Sequence, residues 1–462
     1  MKKVDDLTYT PQNCWDVYTT KTARKNILAL AQRYVDFLSQ CKTERETVAY
    51  VQNQLAKAGY TEQHKKDLVM RAFKGKALFV LRKGRLPLTA GVHLVSAHTD
   101  SPRLDFKQRP LIEQAQVAQA KTHYYGGIRK YQWLARPLAL HGVVVRKDGV
   151  NIPVTLGEDA GDPVFTIADL LPHLAQKHNT QTISEGFEAE KLNIIMGHIP
   201  AAGKNAAKDD APKDPIKNHL LSLLAQKYAF TEEDFISAEL QAVPAGPARF
   251  VGLDKGLMGG YGQDDRICVF AALEALRTAR APQHCVALIL WDKEEIGSDG
   301  ATGASSRFFQ YCMEDSISAW QPKARFSEVM LASRALSADV QAALDPDWQE
   351  VHEKQNAAAL GYGPCFSKFT GSRGKYGASE ADAAYVAWWR NLLSKAEIPW
   401  QMAECGKVDL GGGGTVALFL AAYGIDVIDF GPPVLSMHSP FEIASSADLY
   451  ATVMAYKTFM ES

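Results

Sequence analysis

Residues 92–101 read VHLVSAHTDS, a largely apolar run of strand length that ends in a histidine, a threonine, an aspartate and a serine. A buried strand of an α/β sheet delivers functional groups in this way, at its carboxyl end. On extended backbone His98 and Asp100, two residues apart, share a face. Asp100 can therefore hold one nitrogen of the His98 ring while the other is offered to a metal ion.

The same construction recurs downstream. VALIL at 286–290 runs into WDKEEIGS, and DVIDF at 426–430 runs into GPPVLSMHSPFE. EVMLAS at 328–333 reads as a further strand followed by RALSADV, and GGYGQDDR at 259–266 opens a helix. Apolar positions spaced by three and four predict helices over ARKNILALAQRYVDFLSQ (23–40), ETVAYVQNQLAKAGY (46–60), DRICVFAALEALRTA (265–279), ASEADAAYVAWWRNLLSKA (378–396) and IASSADLYATVMAYKTF (443–459). ALFVLR at 77–82 predicts another strand. Strands alternating with helices imply a mostly parallel sheet covered on both faces. Between 106 and 245 the texture changes: LALHGVVVRKDGVNIPVTL (138–156) alternates and turns at Lys147-Asp148-Gly149, the pattern of a hairpin. AAGKNAAKDDAPKDPIKNH (201–219), polar and low in aromatics, predicts a mobile loop. The expected architecture is α/β: a mostly parallel (mixed) sheet flanked by helices, formed by residues 1–105 and 246–462. An inserted β-rich domain, 106–245, interrupts it. No internal repeat is visible.

At 462 residues the chain exceeds what one hydrophobic core usually organises, in keeping with that division. Lys and Arg total 51 against 52 for Asp and Glu, a net charge of -1 that gives no reason to expect nucleic acid or an anionic membrane as partner. No apolar run approaches the roughly 20 residues of a membrane span, and MKKVDDLTYT at the start lacks the apolar segment of a secretory signal. Seven cysteines without CxxC spacing suit a reducing compartment, so a cytoplasmic protein is expected.

Five segments thus bring His98, Asp100, Asp264, Asp265, Glu294, Glu295, Asp339 and His438 to places compatible with one cleft. Imidazole and carboxylate without thiolate suit zinc, manganese or cobalt in a hydrolytic role. Glu294 and Glu295 would diverge on ideal strand, but past the strand end, near Gly297, the chain can turn both into one pocket. One could then bind metal and the other accept a proton from water. Each feature alone has an ordinary explanation. Strand-end histidines are usually hydrogen-bonded, Asp264-Asp265 can cap a helix, Glu294-Glu295 can be a solvated pair, and Gly411–Gly414 can be a flexible turn. Their repetition at strand ends favours a shared metal site. Rival motifs are missing: His352-Glu353 lacks the second histidine of HExxH, and neither GxSxG, GxxxxGK[ST] nor GxGxxG occurs at the glycine-rich stretches.

At this point the chain resembles the aspartyl aminopeptidase and aminopeptidase I family of dinuclear zinc peptidases. The resemblance is carried by SAHTDSPRLDFK (96–107), YGGI..YQW (125–133), YGQDDR (261–266), WDKEEIGSDGATG (291–303), SAD (337–339), VDLGGGGT (408–415) and MHSPFE (437–442). It implies two divalent ions bridged by Asp264, with His98 and Asp339 completing one site and Glu295 and His438 the other. It also implies Glu294 as general base, Asp100 as support for His98, peptides with a free amino terminus as substrates, and an insertion used in dimer contacts. Assembly into large homo-oligomers, often of twelve subunits, follows from the same likeness. Two departures stand out. Tyr131 falls where acidic-residue-specific members have a histidine contributed by the neighbouring subunit, and a tyrosine donates one hydrogen bond but carries no positive charge. QAALDPDW after Asp339 lacks the His-Ala of eukaryotic members. Both weaken any expectation of a preference for acidic residues. A metal-dependent deacylase or carboxypeptidase, and a non-catalytic peptide-binding protein, are the alternatives on the same fold.

Overall fold

A computed structural model describes residues 7–63, 66–201 and 213–462. The chain partitions into two compact units: Met1–Ser101 with Ala248–Met437 and Phe441–Ser462, and Pro102–Pro247 with His438–Pro440.

Among the described residues the first unit holds an eight-stranded sheet, in the order Leu68–Phe73, Ala77–Arg82, Cys285–Trp291, Val92–His98, Arg334–Ser337, Asp426–Gly431, Cys365–Ser367, Gln401–Met402. The four central strands, Cys285–Trp291 to Asp426–Gly431, are parallel; antiparallel pairing enters on either side of them. The mixed, mainly parallel sheet expected from the strand–helix alternation is thus observed. Its longer central strands, Cys285–Trp291 and Val92–His98, are fully buried, in keeping with a sheet covered on both faces. Val95, Leu288, Leu336 and Ile428 join one core with the helices Lys21–Gln40, Gln263–Thr278, Ala383–Lys395 and Ser446–Glu461. Their neighbours Leu94, Ala287, Ala335 and Val427 join the opposite core with Phe308–Trp320, Phe326–Leu331 and Ala417–Ala421.

Local signals account for the helix ends. Glu44–Lys57 starts in a capping box, Thr43 accepting from the Glu46 N–H while the Glu46 carboxylate accepts from the Thr43 N–H. Asp382 and Ser445 cap Ala383–Lys395 and Ser446–Glu461 in the same spirit. One expected strand is corrected. EVMLAS is not extended: Phe326–Leu331 is helical, with Val329 and Met330 buried, and the strand is Arg334–Ser337. A six-residue apolar run is compatible with either state, and Glu328, Met330 and Leu331 favour helix once one face alone is buried. The final helix likewise begins at Ser446, because Glu442–Ser445 is a strand. Gly412–Gly413, expected as a flexible turn, pairs with Gly371–Ser372 in a short antiparallel ribbon.

The second unit contains a six-stranded antiparallel sheet ordered Asn151–Leu156, Leu138–Val145, Ala238–Pro244, Arg103–Gln114, Val117–Tyr125, Ile194–Gly197. The hairpin at 138–156 forms as its turn residues predict, the Gly149 N–H bonding the Arg146 carbonyl at 2.8 Å with φ 84° at Gly149. Of the polar stretch 201–219, residues 202–212 lie outside the described residues, and from Pro215 the chain is helical to Tyr228.

Register positions the functional loops. His98 lies level with Trp291, Ser337 with Ser96 and Asp429, so the segments after Trp291 and Ser337 leave the sheet beside His98. Gly431, two residues past Asp429, lets this happen: a Cβ there would stand 2.2 Å from the Asp339 carbonyl oxygen and 2.9 Å from Cys268 Sγ. Gly431→Ala is therefore expected to cost about 1–3 kcal/mol by overpacking and to shift Asp339. A thermal melt against Gly161→Ala, where a Cβ meets nothing within 4 Å, checks it.

At the opposite end of the sheet His93 stacks between His284 and Phe459, at ring distances of 4.3 and 4.9 Å, and its Nδ1 bonds the Phe459 carbonyl at 2.9 Å. Burial, helped by His284, pulls its pKa down to about 3. The folded chain thus holds fewer protons than the unfolded chain between about pH 6.5 and 3, and stability falls as pH drops through that window. Melts between pH 7 and 5 should show a steeper acid loss for wild type than for His93→Phe, by up to one proton.

Candidate metal centre

The acidic motifs gather at the carboxyl ends of the parallel strands. His98 closes its strand and is buried. Its Nδ1 hydrogen goes to the Asp100 carbonyl, 3.1 Å away, which directs the basic Nε2 into the site. Around Nε2 lie Asp264 Oδ1 at 3.1 Å, Asp339 Oδ1 at 3.8 Å and Glu294 Oε2 at 4.0 Å. Potential ligand atoms of His98, Glu294 and Glu295, and those of His98, Asp265 and Asp339, lie within 4.8 Å of one another as two trios.

The Glu294-Glu295 pair is turned inward by one 3₁₀ turn, Glu294–Ile296, bracketed by left-handed backbone at Lys293 and Gly297. Asp100, fully buried, fixes that turn: its carboxylate accepts the Glu294 N–H at 3.1 Å on Oδ1 and the Glu295 N–H at 3.2 Å on Oδ2. Asp264 and Asp265 stand where the helix Gln263–Thr278 begins, with non-helical dihedrals and a cis peptide bond between them. Arg266, buried behind them, donates to Thr47 Oγ1 and to the carbonyls of Lys42 and Gly262.

His438 belongs to the second unit, where its Nδ1 hydrogen goes to the Gly127 carbonyl at 2.9 Å, leaving Nε2 as the basic nitrogen. In both histidines a backbone carbonyl engages Nδ1, the arrangement that orients a metal-binding imidazole through Nε2.

The structure gives roles to three residues that the sequence reading left without one, Asp265 among the candidates and Ser101 and Glu442 only as members of the motifs. Asp265, read above as a helix-start acid, accepts the His98 N–H at 3.4 Å on Oδ2, while its buried Oδ1 has no hydrogen-bond partner among the described residues. Ser101 donates to the Asp264 carbonyl at 2.6 Å. Glu442 accepts the N–H groups of Gln263 and Asp264. Each lies one to four positions after another site residue, and nothing in the residue type says which backbone group it bonds.

Electrostatics agree with a cation at this place. Burial raises the pKa of Asp265 far above the carboxylate range and raises Asp339 too, with neighbouring carboxylates adding to both. Glu294 is lifted to about 8 by burial, opposed by His98 and reinforced by Asp339, Asp100 and Asp264. For His98, burial acts downward but hydrogen bonds to Asp100, Asp264 and Asp339 win, and its pKa is raised. Carboxylates gathered so closely either take up protons or share a positive ion. The donors, imidazole nitrogen and carboxylate oxygen, fit zinc.

Comparison with known proteins follows the same line. The profile of the family described as Aminopeptidase I zinc metalloprotease (M18) matches residues 37–460. A Clostridium acetobutylicum protein called "Probable M18 family aminopeptidase 1" is 45% identical over 470 residues, covering 99% of this chain and 100% of its own. The crystal structure of the M18-family aminopeptidase from Thermotoga maritima matches with a TM-score of 0.92 at 44% identity, covering 98% of this chain and 100% of its own. That of aminopeptidase I from Clostridium acetobutylicum gives 0.91 at 42%, again over 98% and 100%. Likeness of this extent, along the whole chain and not at the acidic motifs alone, means that the protein belongs to the M18 family of zinc metalloproteases and is an aminopeptidase.

Proposed function

We propose that this aminopeptidase uses two divalent ions, with His98 and Asp339 on one, Glu295 and His438 on the other, and Asp264 shared between them. One observation carries the reading: Nε2 of a buried histidine has three carboxylates from three separate segments within 4.0 Å. Zinc, when bound, supplies Lewis-acid chemistry, polarising the scissile carbonyl and acidifying water; manganese or cobalt would suit the same donors.

The side chains then have distinct tasks. Asp100 holds the Glu294 turn through two N–H groups and so fixes the backbone from which the Glu294 carboxylate reaches into the site. Glu294 takes the proton of the attacking water and returns it to the leaving amine. A carboxylate beside the reacting water can do both. Tyr131 carries no positive charge of its own for an acidic first residue, which weakens the case for an acidic preference.

The same proposal covers setting and assembly. No helix among the described residues is long and apolar enough to cross a membrane. All seven cysteines are free, six of them buried, which supports a cytoplasmic location. The β-rich insertion would pair copies into a homo-oligomer, up to a dodecamer, as the sequence resemblance implies; neither nucleic acid nor membrane is a partner.

Metal-stripped protein should release no p-nitroaniline from aminoacyl-p-nitroanilides, and zinc should restore activity up to two equivalents per chain. Saturation at one equivalent would remove the second ion from the proposal. Glu294→Gln should retain zinc but lose ~10²–10⁴-fold in kcat. Near-normal turnover in that variant would assign the proton transfer elsewhere. N-acetylated substrates should be inert; their cleavage would point to the deacylase alternative.

A further inference from the structure

Asp264 sits on backbone that regular helix bonding does not hold. Gly262 is left-handed at φ 74°, and the dihedrals at Asp264 (−78°, 106°) and Asp265 (−115°, 27°) are not helical. The first N–H groups of a helix have no partner four residues back, and here the usual cap is missing, since Gly262 has no side chain to offer. A more distant group fills that place. Glu442, 1% exposed, brings Oε2 to 2.5 Å from the Gln263 nitrogen and 3.3 Å from the Asp264 nitrogen. Its backbone carbonyl accepts the Gln263 side-chain amide at 2.7 Å, and that amide also donates to the Met258 carbonyl at 3.1 Å. Tyr34 completes the support, its hydroxyl 3.3 Å from Gln263 Oε1. On the other side of the residue, Ser101 holds the Asp264 carbonyl.

We propose that Glu442 is a positioning residue for the metal centre: its carboxylate replaces the missing helix cap and sets where the Asp264 carboxylate points. Gly262 belongs to the same device, because a Cβ there would fall 1.6 Å from an Arg266 guanidinium nitrogen and 3.0 Å from Ser101 Oγ. A buried carboxylate on the positive end of a helix is favourable electrostatically. Its hydrogen bonds also restrict Asp264 before metal arrives, so its removal weakens metal binding as well as turnover. The inference rests on the proposal that Asp264 is a ligand.

The test is zinc affinity of the metal-stripped full chain, measured by competition with a chromophoric chelator, for wild type, Glu442→Gln, Glu442→Asp and Asp264→Asn. Glu442→Gln keeps the shape but places an amide where a full acceptor is needed; Glu442→Asp keeps the charge but withdraws it by one methylene. Both are expected to raise the zinc dissociation constant about 10–100-fold and to lower kcat at saturating zinc more than they change KM. Having two variants preserves the test if one does not fold. Unchanged zinc affinity in the folded variants, whatever happens to the melting temperature, would make Glu442 purely structural and overturn the proposal. Asp264→Asn separates the two failures: if it too binds zinc normally, the ligand assignment is wrong; if it alone loses zinc, only the role of Glu442 is.

Discussion

The constraint on which this centre depends is that loops leaving a sheet carry backbone N–H groups that no strand or helix satisfies. Burying such groups unpaired costs about 1–3 kcal/mol each. Here they are paired by acids from neighbouring loops. Asp100 takes two from the Glu294 turn, Asp265 takes that of His98, and Glu442 takes two at the Asp264 corner. Each acid lies close in sequence to a residue assigned to metal or proton chemistry, yet it serves the backbone of a different loop. The loops are thus mutually braced, and a change in any one of them reaches the others through hydrogen bonds rather than through contact with substrate.

The sheet makes that bracing possible. Four parallel strands end side by side, level to within a residue or two, so loops far apart in sequence emerge as neighbours. Two apolar cores, one on each face, hold the strands in that register. A one-residue slip would send every side chain to the wrong core, and would move His98 out of line with Asp339. The same tight fit explains why Gly431 has no room for a side chain beside Asp339. Positional accuracy at the site is inherited from packing well below it.

Much of this was legible in sequence because buried parallel strands leave a plain signature: an apolar run followed by a polar burst. That signature singles out His98, Glu294, Glu295 and His438 as candidates, and Asp339 joins them although the strand before it is Arg334–Ser337 and not EVMLAS. EVMLAS misled because a short apolar run has no periodicity to separate helix from strand, whereas Arg334–Ser337, with only Ala335 and Leu336 as apolar members, looked too polar to be one. Asp265, Ser101 and Glu442 were not assigned roles, since what they bond is backbone, and backbone geometry is not written in residue type. Glu442 ends the motif MHSPFE, but nothing in that motif says that its carboxylate bonds backbone 179 residues away.

The partition of the chain has a further bearing on how the protein comes into being. The strand Val92–His98 pairs with Cys285–Trp291, and the whole second sheet lies between them in sequence. The central pairing cannot begin until residue 291 has left the ribosome, by which time the inserted antiparallel sheet, whose contacts are closer in sequence, has been fully synthesised. Pairings across so long a loop are slow to form because closure entropy is lost before contacts repay it. The strand Val92–His98 thus depends for both its neighbours, Cys285–Trp291 and Arg334–Ser337, on residues made long after it.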